Sequence, residues 1–95
     1  MFIHMFSFRW KQGVTGQQKQ RVFDEVNALR TRVPGILDSA AGFNTSPRAQ
    51  GYEFGGFMKF SDRAAFEAYN AHPVHERLLT WLLPLIDPIE VDFTL

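Results

Sequence analysis

The first ten residues decide most of what this chain can fold into. As a strand, Met1 to Trp10 places Phe2, Phe6, Phe8 and Trp10 on one side and Met1, Ile3 and Met5 on the other, because successive strand side chains point to opposite faces. Tyr52 to Phe60 repeats the pattern, with Tyr52, Phe54, Met58 and Phe60 against Phe57. Strands that are apolar on both faces need cover on both. Fully burying one Phe-sized side chain is worth roughly 1.5–3 kcal/mol, so a row of them left in water forfeits several times that and invites aggregation. The chain has 95 residues, one domain's worth, and a domain of this size buries only roughly 60–65% of its unfolded surface. Its helices can cover one face of a sheet. An identical chain is the economical cover for the other, so a homodimer is expected.

The element order follows from periodicity and punctuation. Residues 2–10 read as a strand that ends at Lys11-Gln12-Gly13. Thr15 with Gln18 forms a capping box, and Val22, Val26, Leu29 and Val33 continue at near-helical spacing until Pro34-Gly35 stops the helix. Residues 36–45 read as a weaker strand, closed by the turn-forming run Asn44-Thr45-Ser46-Pro47. After the 52–60 strand, Ser61-Asp62 caps a helix through Phe66 and Tyr69. His72-Pro73 breaks that helix and starts another, because proline suits a first helical position and disfavours helix geometry just before it. The last helix carries Leu78, Leu79 and Leu82 to Pro84, and Ile89, Val91, Phe93 and Leu95 then alternate with Glu90, Asp92 and Thr94 as a half-buried strand. The expected architecture is one α+β domain over residues 1–95, β-α-β-β-α-β with a four-stranded antiparallel sheet. This is the ferredoxin-like split βαβ arrangement, doubled into a dimeric α/β barrel.

Composition removes several classes of function. Ten Lys plus Arg balance ten Asp plus Glu, whereas proteins that neutralise phosphates carry a basic surplus; neither nucleic acid nor an anionic membrane is an expected partner. The strand Phe54-Gly55-Gly56-Phe57-Met58-Lys59-Phe60 faintly echoes an RNA-binding strand, but Gly55 and Glu53 fall where that motif needs an aromatic and a base. The absence of cysteine excludes disulfides, thiol catalysis and thiolate metal sites. The apolar start lacks a basic leader and soon reaches Arg9 and Lys11, and no stretch approaches a membrane span. A soluble, cytoplasmic protein is expected. Neither a phosphate loop, a dinucleotide fingerprint nor a nucleophile elbow is present, so no cofactor is expected.

The candidate chemistry lies in three histidines. His4 shares the aromatic parity of Phe2 and Phe6, as a hydrogen-bonded core residue or as a pocket group. In Tyr69-Asn70-Ala71-His72-Pro73-Val74-His75 the plain assignment is a core tyrosine, a helix-boundary His72 and a first-turn surface His75. The functional one has His75 take a proton while Tyr69 donates a hydrogen bond to a carbonyl. His72 and His75 lack a further ligand for a metal, and no metal is expected. Asp87, Glu90 and Asp92 read most simply as a solvated strand edge. A ligand cleft would be bordered by His4, Phe54, Tyr69 and His75, with Phe6, Val26 and His72 beside them.

Taken together, Gly42-Phe43-Asn44-Thr45-Ser46-Pro47, Gly51-Tyr52, Phe60-Ser61-Asp62-Arg63-Ala64-Ala65 and Tyr69 through His75 resemble the Dabb family, the stress-responsive A/B-barrel domains, in order and spacing. His4, Pro34-Gly35 and Val91-Asp92-Phe93 fit as well. The resemblance implies a homodimer with facing sheets and a cleft between sheet and helices in each subunit. It also resembles a plant polyketide cyclase of that family, which implies His75 as base, Tyr69 as its helper and a matching histidine at His4. Phe54 and Val26 stand where that cyclase has a histidine and a tyrosine, which implies a greasier pocket and a different substrate. Three functions remain open from the sequence: a dimer holding a small apolar, aromatic or polyketide-like ligand, a cofactor-free cyclase, isomerase or lyase, and a purely structural stress protein.

Overall fold

The Phe-rich start forms the central strand of the molecule. In a computed structural model describing residues 1–95, β1 (Phe2–Trp10) pairs antiparallel with β3 (Tyr52–Phe60) on one side and β4 (Ile86–Thr94) on the other, and β2 (Asp38–Phe43) completes the order β2-β3-β1-β4. Three helices, α1 (Gly16–Arg32), α2 (Arg63–Asn70) and α3 (Pro73–Leu82), lie on one face, and a short 3-10 turn over Leu83–Leu85 leads into β4. The result is the expected ferredoxin-like α+β fold. β2 is shorter than the expected 36–45, and β4 begins three residues before the alternating run.

The helix boundaries lie where the local chemistry puts them. Thr15 Oγ1 accepts from the Gln18 amide at 3.1 Å while the Thr15 amide donates to Gln18 Oε1 at 2.8 Å, so the capping box satisfies two otherwise free donors. Gly35, at φ 93°, carries the turn beyond Pro34, a conformation glycine adopts at no steric cost. Asp62 Oδ1 accepts from Ala65 N–H at 2.8 Å to start α2. One side-chain clamp ties α1 to the sheet. The Asn27 amide exchanges hydrogen bonds with both Ala41 N–H (3.2 Å) and Ala41 C=O (3.1 Å), copying a strand neighbour along the edge of β2.

Phe2, Phe6, Phe8, Phe54, Met58 and Phe60 face the helices and are buried against Val22, Val26, Leu29, Phe66, Tyr69, Leu78 and Leu82. The other face of the sheet carries nothing within this chain. There Met1, Met5, Ile89, Val91 and Phe93 remain 41–54% exposed, and Leu95 76%. The alternating residues of β4 are therefore not half-buried within one chain. Register explains this: Met5 stands opposite Val91 and Ile3 opposite Phe93, which puts the apolar row of β4 on the open side.

Candidate functional site

A cleft of about 70 Å³, partly open to solvent, lies between the covered face of the sheet and helices α2 and α3. Eleven of its fifteen lining residues are hydrophobic, which leaves His4, Tyr69, His75 and Glu90 as the groups able to do chemistry. Phe6 of β1 and Val26 of α1 line part of the apolar wall, and Leu78, Leu79, Leu82 and Leu83 supply much of the rest.

Pro73 starts α3, so His75 falls in its first turn beside the end of α2. The last carbonyls of a helix have no partner inside it, and Asn70 is the last residue of α2. His75 Nδ1 lies 3.0 Å from the Asn70 carbonyl oxygen. A carbonyl only accepts, so Nδ1 carries the proton and the neutral ring keeps its lone pair on Nε2. Burial pushes the His75 pKa down and His4 adds to this, while the Asn70 carbonyl and the carboxylates of Glu90 and Glu76 pull it partly back up. The ring is thus neutral at pH 7.

Tyr69, one residue before the end of α2, packs its ring 4.5 Å from that of His75, with the two planes tilted by 48°. It is buried against Phe60 and Phe66. Its hydroxyl makes none of the side-chain hydrogen bonds of the chain and is not sealed in the core. Burial raises its pKa far above that of a free phenol, and the carboxylate of Glu90 adds to the shift. The phenol therefore stays protonated and keeps a free O–H donor beside His75.

His4 reaches the same cleft from β1. It is 5% exposed and packs against Phe66 at 4.8 Å, with Nδ1 2.5 Å from Asp92 Oδ1 on the neighbouring strand. It is both a hydrogen-bonded core residue and a cleft residue. Glu90 and Asp92 are exposed on the edge strand β4, as a solvated strand edge requires, and this pairing adds which side of the sheet they stand on. The register places Asp92 opposite His4 and Glu90 opposite Phe6, so both residues share the helix-covered side with the cleft. Asp87, also exposed, lies 3.9 Å from Arg9.

Two expected pocket residues lie elsewhere. Phe54 is fully buried at the other end of the sheet, among Phe8 (5.7 Å), Phe43 (5.7 Å) and Trp10 (6.1 Å), and is not part of the cleft wall. His72 caps α3 with its own ring, its Nδ1 accepting from Val74 N–H at 3.1 Å. That bond occupies the lone pair a pocket role would use. No three His, Asp or Glu side chains converge in a way that could hold a metal ion.

Comparison with known structures places this geometry among relatives. A dimeric ferredoxin-like protein of unknown function from Thermobifida fusca is 28% identical, with a TM-score of 0.87 over 99% of this chain and 90% of that one. A Dabb family protein with a ferredoxin-like fold from Mesorhizobium loti is 24% identical, with a TM-score of 0.84 over 99% and 95% of the two chains. A hydroxynitrile lyase from Passiflora edulis shares the fold at 16% identity, with a TM-score of 0.89 over 99% and 92%. No curated protein sequence matches this chain. Residues 2–95 match the model of the Stress Responsive A/B Barrel Domain, and the chain belongs to that family, Dabb.

Proposed function

We propose that this protein works as a homodimer in which each cleft holds the carbonyl end of a small, largely apolar ligand, and that His75 moves a proton on the carbon beside that carbonyl. The observation that carries this reading is the His75–Tyr69 pair: a neutral imidazole with Nε2 free and a protonated phenol without a partner, their rings in tilted contact at 4.5 Å in an apolar wall. The imidazole takes the α-proton onto Nε2, leaving an enolate. Tyr69 O–H hydrogen-bonds to the enolate oxygen, and the imidazolium returns the proton to the same or another carbon. A dry wall strengthens both interactions, and Glu90 lies close enough to steady the transient imidazolium. The chemistry class is isomerisation, cyclisation or lyase cleavage without a cofactor. A space of about 70 Å³ takes the reacting end of an aromatic or polyketide-like molecule and not its whole length.

The dimer is supported by the uncovered apolar face of the sheet and by the dimeric relative from Thermobifida fusca. A second reading, retention of the ligand without turnover, is favoured by the mostly hydrophobic lining and by a His75 pKa that burial lowers.

The test is proton exchange in D2O, followed by NMR on butanone and phenylacetaldehyde. The wild-type protein is expected to accelerate α-proton exchange over free imidazole. His75→Ala is expected to reduce that rate about 100-fold or more, with Tyr69→Phe losing a smaller part. Exchange unchanged in His75→Ala removes His75 from the mechanism. No exchange, with a small molecule seen on the dimer by native mass spectrometry, selects the retention reading.

A further inference from the structure

The cleft that carries His75 shares a wall with a second depression on the outer side of the helical layer. Leu29 of α1 and Leu78 of α3 line both. The outer depression is a groove of about 380 Å³ between these two helices, bordered also by Glu25, Arg32, Val74, Arg77 and Trp81. Its charges do not cancel. Arg32 is engaged by Glu25 at 2.5 Å, and Arg21 lies over the Trp81 ring at 3.8 Å from the ring centroid. Arg77 takes part in none of the ion pairs of the chain. Groove and rim thus hold three guanidinium groups, Arg21, Arg32 and Arg77, against the single carboxylate of Glu25. Beneath them the floor is apolar.

We infer that this groove binds the carboxylate of an anionic amphiphile, and that Leu29 and Leu78 are the partition through which the ligand's apolar body reaches the inner cleft. An exposed guanidinium without a counter-charge, set above an apolar floor, matches a molecule with one anionic end and a hydrocarbon body. Arginine presents a planar fork that suits a carboxylate. The groove has the volume of a small-molecule site, whereas the inner cleft of about 70 Å³ has room for only a few heavy atoms. A ligand longer than that needs a second compartment, and the one across the two leucines is adjacent. The groove also lies on the helical side, so it stays open when the exposed face of the sheet is covered by a second copy. Passage through the partition rests on the proposed role of the inner cleft; the anion site does not.

The experiment is an NMR titration of the whole protein with acetate, octanoate and octan-1-ol, reading the Trp81 indole N–H, the Arg77 guanidinium and the His75 ring. Octanoate is expected to bind at least about tenfold more tightly than octan-1-ol, the worth of one charge-assisted hydrogen bond. Arg77→Gln is expected to abolish that preference while leaving octan-1-ol unchanged, which also shows that the variant is folded. Octanoate is expected to shift His75 as well as Trp81, and acetate to shift the groove signals alone. Equal affinity for octanoate and octan-1-ol, or an unaltered preference in Arg77→Gln, overturns the anion site. A His75 ring indifferent to octanoate overturns the passage through the partition. Loss of carbonyl proton exchange in the separate assay leaves the groove standing, because that assay uses neutral ketones and aldehydes.

Discussion

On the helix-covered face of the sheet, Phe2, Phe6, Phe8, Phe54, Met58 and Phe60 are buried; on the other face, Met1, Met5, Ile89, Val91 and Phe93 keep 41–54% of their surface exposed. Both faces are rich in large apolar side chains, so hydrophobicity alone does not separate them. The polar groups do. His4, Glu90 and Asp92 all stand on the covered side, joined there by Tyr69 and His75 from the helices. Burial on that side raises the pKa of Tyr69 and lowers that of His75, in both cases favouring the neutral form. The β1–β4 half of the open face carries a row of hydrocarbon with little to titrate at its centre, which suits permanent contact with another protein surface and not chemistry. In the proposed reading, one face holds a small molecule and the other a copy of the chain.

The largest expected effect that would sharpen this contrast is at Phe54. Truncation to Ala on the covered face is expected to cost about 3–5 kcal/mol in urea unfolding. The same change at half-exposed Ile89, measured in a monomeric background, is expected to cost under about 0.5 kcal/mol. Similar costs at the two sites would break the distinction between the faces. Next in size, Val91→Glu puts a carboxylate in the middle of the open face. It is expected to raise the dimer dissociation constant about 100-fold or more, roughly 2.7 kcal/mol, with far-ultraviolet circular dichroism unchanged. A variant that still sediments as a dimer would move the subunit contact elsewhere. Asn27→Ala, which removes the clamp on Ala41, is expected to cost about 1–2 kcal/mol without altering the dimer.

The smallest effect is one of pH. The folded His75 pKa lies below its unfolded value, so between the two values the unfolded chain binds more protons than the native one. The stability from this group is complete above about pH 6.5, the ordinary histidine value, and is lost as pH falls from there toward the folded pKa. His75→Gln is expected to remove that segment of the stability profile. A profile unchanged by the substitution would mean that the ring is solvated like a free histidine.

Much of this contrast can be read from the chain itself, because strand parity is a period-two property. Phe2, Phe6 and Phe8 separate from Ile3 and Met5 by parity alone, and Thr15, Asp62 and His72-Pro73 mark the helix starts by their side-chain chemistry. Strand β4 shows where such reasoning stops. Its alternation reveals two faces but not which one looks toward the helices; pairing of Asp92 with His4 settles that, and pairing is set by the tertiary fold. The sequence therefore gives Asp92 and Glu90 as solvent-exposed, which they are, but not that they stand beside His4 and the cleft. Phe54 illustrates a second limit: parity gives its face correctly, but position along the strand carries it away from the cleft end. For His72 the competing use is local, since a ring nitrogen can cap a helix as well as meet a ligand.

The most direct test of the central claim is nitrogen NMR of the His75 ring in the ligand-free protein, followed through a pH titration. A neutral ring with the proton on Nδ1, a bare Nε2 and an apparent pKa below 6.5 is the predicted result. A proton on Nε2, or a ring already cationic at neutral pH, would leave the cleft without a base and contradict the proposed chemistry.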